Sequence, residues 1–117
     1  MEEKKVILCA ASAYEKKYYF NPKFSDVPQD IQDQLHIISV MFTEDVGGII
    51  FFSFDEEGKL SISTEARDSD YNYDEIGAAL EVREIQKRRR DMLNGLELYY
   101  RAVFLRQSLD LERWMLE

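Results

Sequence analysis

The sequence of 117 residues contains one cysteine, Cys9, and one histidine, His36. A single cysteine excludes an intramolecular disulfide, and the pair is too small a ligand set for a structural zinc site. Catalysis by a Cys–His or Ser–His pair would depend on these two residues alone. Cys9 lies in the apolar run 6–11, which predicts a buried, unreactive thiol, and no pattern places His36 beside it. We therefore expect no enzyme activity, no catalytic residue and no cofactor.

Long apolar runs and an excess of basic residues are also missing. No segment approaches the roughly 18 apolar residues of a membrane span, and the apolar stretch near the N-terminus is too short for the core of a signal peptide. The chain has 15 Lys and Arg residues and 23 Asp and Glu residues, which gives a net charge of -8. Such a chain repels the phosphates of nucleic acid. We expect a cytoplasmic protein with neither nucleic acid nor membrane as a partner.

What the sequence has in quantity is apolar and aromatic surface. Hydrophobic residues make up 45% of the chain and aromatic residues 13%, enough to bury a core without disulfides or a metal. The length suits one domain. We predict a single α+β domain over residues 1–117, in which 109–117 form a short extra helix or a frayed tail.

Apolar periodicity predicts four strands and two helices in the order β-β-α-β-β-α. Glycine and proline residues separate these elements, and Gly47-Gly48 ends the first helix. The predicted elements are strands 5–11 and 15–20 joined by a turn at Ser12-Ala13-Tyr14, a helix from near Ser25 or Asp26 with Pro28 in its first turn, strands 49–54 and 59–65 joined by the turn 55–58, and a long helix from Tyr73 to Gln107 that Asn72 and Glu75 cap and Gly95 weakens.

Exposure patterns predict the order of the strands. Strands 5–11 and 49–54 are apolar on both alternating faces, which is typical of central strands covered on both sides. Strand 59–65 is apolar on one face only, and strand 15–20 carries Lys16 and Lys17, as edge strands often do. The predicted sheet is antiparallel with the strand order 2-1-3-4.

One helix cannot cover both faces of such a sheet, so the long helix or a second copy of the chain must cover the other. The long helix carries two apolar ridges. The first, with one polar exception, comprises Ala78, Val82, Ile85, Arg89, Met92, Leu96, Tyr99 and Val103, and the second comprises Ile76, Leu80, Leu93, Tyr100 and Phe104. We predict a homodimer whose interface candidates are Val82, Ile85, Arg89, Met92, Leu96, Tyr99 and Val103. The alternative is that both ridges form the core of a monomer.

Two charged segments suggest binding chemistry. Oxygen ligands alternate at Asp68, Asp70, Asn72 and Asp74, as in the first half of a calcium loop. The EF-hand pattern fails, however, because Tyr73 and Ala79 stand where Gly and a bidentate Glu are needed. These four residues remain weak metal candidates, with an acidic loop before a helix as the alternative. The basic run 87–90 spreads around its helix among acidic neighbours, which indicates a solvated, ion-paired surface.

Four strings in this chain resemble a family of small bacterial proteins of unknown function. The resemblance extends to about residue 105 and implies no activity, cofactor or site. The strings are Leu8-Cys9-Ala10-Ala11-Ser12-Ala13-Tyr14-Glu15-Lys16-Lys17-Tyr18-Tyr19, Phe42-Thr43-Glu44-Asp45-Val46-Gly47-Gly48, Tyr73-Asp74-Glu75-Ile76-Gly77 and Leu96-Glu97-Leu98-Tyr99-Tyr100.

Together these patterns favour a non-enzymatic interaction module, an acidic homodimer that binds another protein. The alternative is a domain that binds a small ligand or a divalent cation, at the acidic pair Glu44 and Asp45 before Gly47-Gly48 or at the loop 68–75. Apolar surface left exposed on the long helix would favour the first function, and a concave pocket with converging carboxylates would favour the second.

Overall fold

The structure is a computed structural model that describes residues 5–106. It confirms the α+β class and the predicted order of elements, with the last helix divided in two. The elements are β1 (Val6–Ser12), β2 (Lys17–Phe20), a short 3-10 helix (Pro22–Phe24), α1 (Gln29–Asp45), β3 (Ile49–Phe54), β4 (Leu60–Glu65), α2 (Glu75–Arg88) and α3 (Arg90–Val103). The possible helix or tail at 109–117 and the predicted helix end at Gln107 lie outside the described residues.

The four strands form one antiparallel sheet in the predicted order β2-β1-β3-β4. The most apolar strands, β1 and β3, are its centre. The pairing of β1 with β3 is irregular between Ile7 and Cys9, so Leu8 is an extra residue in the ladder. Such a bulge lets two consecutive side chains point to the same side. Leu8 and Cys9 are accordingly both fully buried.

All the helices of the described chain lie on one side of this sheet. Cys9 of β1 lies beside Ser39 of α1, and Phe54 of β3 stacks on Tyr100 of α3 with ring centroids 4.2 Å apart. Cys9 pairs with Phe52, two residues from Phe54, so these side chains point to the same face. The expectation that the long helix covers the second face is therefore wrong.

An aromatic cluster holds α3 in this position. The Phe24 ring lies 5.6 Å from Phe54, 6.2 Å from Tyr100 and 4.7 Å from Phe104. Each such pair contributes about 0.5–1.5 kcal/mol beyond the burial of its area. The segment before α1 and the end of α3 are thereby joined over the same end of β3.

The first helix begins later than predicted, at Gln29. Pro28 occupies the N-cap position, where its carbonyl accepts from the amides of Ile31 and Gln32. A residue before proline is biased away from the helical conformation, so the helix cannot extend back through Val27. The segment from Ser25 instead follows the 3-10 helix, whose cap is Asn21. As predicted, the helix ends before Gly47, which has a φ of +88°.

The long helix is interrupted at Arg89 and not at Gly95. Arg89 has a ψ of 25°, which separates α2 from α3, whereas Gly95 lies inside α3 with open space around it. Ile85 of α2 and Tyr100 of α3 are nevertheless buried in the same core. The predicted cap at Asn72 is also wrong, because Asp74 accepts from the Gly77 amide and begins the helix.

The first hairpin turn is displaced by two residues. The prediction placed the turn at residues 12–14 and the second strand at 15–20, but β1 continues to Ser12 and β2 begins at Lys17. Lys16 closes the turn with a φ of 53°. Few residues other than glycine adopt this left-handed conformation.

No helix within residues 5–106 has the length and hydropathy of a membrane span.

We predict that Gly48→Ala destabilises the fold more than Gly47→Ala. Both glycines have positive φ, 88° at Gly47 and 70° at Gly48, so either alanine is strained by about 1–2 kcal/mol. A Cβ at Gly48 would in addition lie 2.5 Å from the Tyr73 ring and 2.7 Å from the Glu65 carbonyl, whereas nothing lies within 4 Å at Gly47. Overpacking of this kind adds about 1–3 kcal/mol. Urea unfolding of the two variants measures the difference, and equal losses would contradict the structure.

Candidate functional site

The residues predicted as a dimer interface lie mostly inside this chain. Ile85 and Leu96 are 7% and 4% exposed, and Val82, Met92 and Tyr99 pack against the core. Arg89 is exposed and donates to Gln34 of α1 at 3.2 Å. Val103 is 48% exposed. Ile85 and Leu96 thus leave little surface for a second chain, and the interruption at Arg89 divides the predicted ridge.

The four weak metal candidates do not converge in the structure. Asp70 accepts a hydrogen bond from the Tyr14 hydroxyl at 2.7 Å, which raises the pKa of Tyr14. Asp74 caps α2, and Asp68 and Asn72 are exposed. Within residues 5–106 no three histidine, cysteine or acidic side chains are grouped as metal ligands would be.

The acidic pair that ends α1 is also divided. Glu44 lines a cavity beside the β1–β2 turn, together with Lys16, Tyr18 and His36. Asp45 lines a different groove, between α1 and α2. Because adjacent helical residues point in different directions, the two carboxylates do not act on one ligand.

The basic run at the end of α2 lies in solvent. Residues 87–90 are all exposed. Arg88 pairs with Glu84 at 3.4 Å, one helical turn earlier. Cations at the C-terminal end of a helix also interact favourably with its dipole.

One face of the sheet carries no helix of the described chain, and we call it the open face. Strand alternation and pairing place eleven side chains on it: Ile7, Ala10, Ser12, Lys17, Tyr19, Ile49, Phe51, Ser53, Ser61, Ser63 and Glu65. Tyr19 is 51% exposed, while Ser53 is buried between its neighbours. Sequence reasoning recognised that β1 and β3 are apolar on both faces, and it left the second face to the long helix or to a second copy of the chain.

The cavity beside the β1–β2 turn has a volume of about 490 Å³. The rings of Tyr18 and His36 stack along it, with centroids 4.2 Å apart and planes inclined by 16°. Neither a motif nor a spacing in the sequence relates these two residues, because β2 and α1 meet only in the folded chain.

Cys9 lies in the core close to this cavity. Burial raises the pKa of its thiol to about 12, although the nearby hydroxyls of Tyr18 and Ser39 lower it. Apart from the Cys9 sulfur, neither hydroxyl has a hydrogen-bond partner among the described residues. Sulfur is a weak partner for such bonds. Burial likewise raises the pKa of Tyr18. Because the thiolate is the reactive form, this arrangement fits an inert cysteine.

We predict that Cys9 makes the stability of the fold sensitive to alkaline pH. Its pKa is raised from 9.0 to about 12 on folding, so the folded protein retains a proton that the unfolded chain loses above pH 9. The contribution is therefore complete below pH 9 and is lost as the pH rises toward 12. Between pH 8 and 10.5 the unfolding free energy should fall by about 2 kcal/mol more in the wild type than in Cys9→Ala. Urea unfolding at both pH values tests this, and parallel losses would refute it.

Comparison with known proteins identifies a family but no activity. Residues 5–108 match a family described as a family of unknown function, DUF6145. The match covers most of the chain, so the chain belongs to this family, and the resemblance to a family of unknown function is confirmed. No curated protein and no solved structure matches the chain significantly.

Proposed function

We propose that this member of the family is a non-enzymatic, cytoplasmic protein-interaction module that acts as a homodimer through its open face. The main support is the composition of that face. Only Lys17 and Glu65 are charged among its eleven side chains, in a chain with 32% charged residues. A sheet face that meets water ordinarily carries polar side chains, whereas β1 and β3 present Ile7, Ile49 and Phe51 there.

The pairing of the strands orders the open face into three rows that cross the sheet. Read from β2 toward β4, the rows are Lys17, Ser12, Ile49 and Glu65; then Tyr19, Ala10, Phe51 and Ser63; and finally Ile7, Ser53 and Ser61. Large and small side chains alternate along the second row and over Lys17, Ser12 and Ile49 of the first. A second copy would therefore fit this surface if its rows ran in the opposite direction, so that its small side chains faced the large ones.

A two-fold axis parallel to the strands produces that reversal. It places β1 of one copy over β3 of the other, and β2 over β4. Phe51 then faces Ala10 of the second copy, and Ile49 faces Ser12. Each large apolar or aromatic side chain of these two rows meets a small one, which is how facing layers interdigitate. The contact is repeated on both sides of the axis, as in other two-fold dimers.

The same axis places each charged residue of the open face opposite a residue of the other sign in the second copy. Lys17 and Glu65 end the same row on opposite edges of the sheet. Reversal of the row places Lys17 of each copy over Glu65 of the other, so the dimer has two equivalent ion pairs at its rim. Sheets pack about 10 Å apart, a gap that extended Lys and Glu side chains bridge from both sides. Rim charges of this kind select orientation more than they add affinity.

The size of the open face indicates a weak dimer. With strands about 4.8 Å apart and about 3.3 Å per residue, the face measures roughly 19 by 20 Å. Two such faces bury on the order of 800 Å² in projection and more with side-chain relief, at or below the lower end of specific interfaces. We therefore expect dissociation in the micromolar range, and association that depends on concentration.

We predict that a charge placed at the centre of the open face prevents association. Sedimentation velocity from 5 to 500 µM should show the wild type passing from monomer to dimer and both Phe51→Glu and Tyr19→Glu remaining monomeric, because each buries an unpaired carboxylate. Ile76→Glu is the matched control, since Ile76 is 76% exposed on α2, away from this face. Circular dichroism establishes that the variants are folded. A wild type that stays monomeric at every concentration would refute the proposal.

We predict a charge-reversal pattern that is specific to the axis parallel to the strands. Lys17→Glu or Glu65→Lys alone should weaken the dimer about tenfold, because each change removes two pairs and creates two repulsions. The double variant should return to wild-type affinity. A two-fold axis perpendicular to the strands places β2 over β2 and gives no such rescue. Loss without rescue would therefore refute this arrangement while leaving association through the open face intact.

A further inference from the structure

The cavity beside the β1–β2 turn lies between two elements, on the side of the sheet that α1 covers. Its walls come from the turn and β2 on one side and from α1 on the other. Its volume of about 490 Å³ falls within the range of roughly 300–1,000 Å³ that is usual for small-molecule sites. A ligand of one to two dozen heavy atoms would fill it.

One wall of the cavity is positive and the other negative. Lys16 of the turn and Glu44 of the last turn of α1 both line it, and neither forms an ion pair within residues 5–106. Lys17 lines it as well, but its side chain leaves β2 on the side of the open face. Apart from Lys17, the cavity thus offers one uncommitted cation, Lys16, and one uncommitted anion, Glu44, from opposite walls.

The rest of the cavity suits an apolar group. The stacked rings of Tyr18 and His36 form a flat wall, and Ala13 and Val40 add aliphatic surface. His36 and Glu44 are eight residues apart on one helix, about 12 Å along its axis. A ligand can therefore place a charged head near Glu44 and an apolar group near the rings.

We propose that this cavity binds a small zwitterion of the amino-acid type. The carboxylate contacts Lys16, the ammonium contacts Glu44, and the apolar side chain lies along Val40 and the Tyr18–His36 wall. A simple anion would leave Glu44 unpaired in the complex, and a simple cation would leave Lys16 unpaired. A bound zwitterion satisfies both charges, and charge-assisted hydrogen bonds of this kind are the stronger ones.

Three ligands that share a phenyl ring separate the contributions of the two charges. L-Phenylalanine carries both charges, 3-phenylpropionate only the carboxylate and 2-phenylethylamine only the ammonium. Each is titrated into the full-length ¹⁵N-labelled protein while amide shifts are recorded. We expect phenylalanine to bind about tenfold more tightly than either of the others, with shifts concentrated at Ala13, Lys16, Val40 and Glu44. Equal affinities, or no shifts at these residues, would overturn the proposal.

Two variants and two controls assign each charge to its residue. Lys16→Asn removes the ammonium but keeps a residue that tolerates positive φ, and it should weaken phenylalanine and 3-phenylpropionate but not 2-phenylethylamine. Glu44→Gln should weaken phenylalanine and 2-phenylethylamine but not 3-phenylpropionate. The controls are Asp45→Asn, because Asp45 faces the other groove, and Lys59→Asn, because Lys59 lies in the β3–β4 turn. Neither should change the affinity for any of the three ligands. Uniform loss across all three ligands in either variant would indicate a structural effect and overturn the assignment.

Discussion

The stacking of Phe54 on Tyr100 is the contact on which the arrangement of this protein depends. It attaches α3 to the face of the sheet that α1 already covers, and Phe24 and Phe104 extend the same cluster. Parallel aromatic rings at this distance bury a large area and fix the orientation of both elements. Because the cluster holds α3 on that side, no helix of the described chain is left for the other side of the sheet.

The open face is the direct consequence of that constraint. A two-layer domain needs only one apolar sheet face for its own core, yet β1 and β3 carry Ile7, Ile49 and Phe51 on the second face as well. Partial exposure of such side chains lowers the free energy of unfolding only a little. Their burial against another apolar surface is favourable because it removes them from water. The proposed dimer matches large residues with small ones across the rows of this face.

The strand β2 connects the two proposed sites. Lys17 and Tyr18 are neighbours in the chain and project to opposite sides of the sheet, Lys17 at the rim of the open face and Tyr18 at the cavity wall. The turn before them places Lys16 at the cavity in a conformation that few residues other than glycine adopt. Three residues of one short edge strand and the turn that precedes it therefore serve the proposed interface on one side of the sheet and the proposed pocket on the other.

Much of the secondary structure could be predicted from local patterns, but the interruption of the last helix could not. Strands were predicted from short apolar runs and the end of α1 from Gly47-Gly48, because these signals act within a few residues. The interruption at Arg89 has no such signal, since arginine is a good helix former and Gly95 is a poor one. The ψ of 25° at Arg89 is therefore known only from the structure.

The candidate sites divide in the same way. Glu44 was predicted as a candidate site residue because it is acidic and lies close to Gly47-Gly48. Lys16, Tyr18 and His36 could not be grouped with it from the sequence, because they line one cavity only where β2 and α1 meet. The ridge of α2 and α3 was recognised as apolar, but its pattern is the same whether its partner is the chain's own sheet or a second copy. Hydrophobic periodicity and turn chemistry act locally, so they were enough to predict which residues leave water and how the strands are ordered. Which surface each apolar face meets depends on contacts between residues far apart in the chain, and it became clear only from the folded protein.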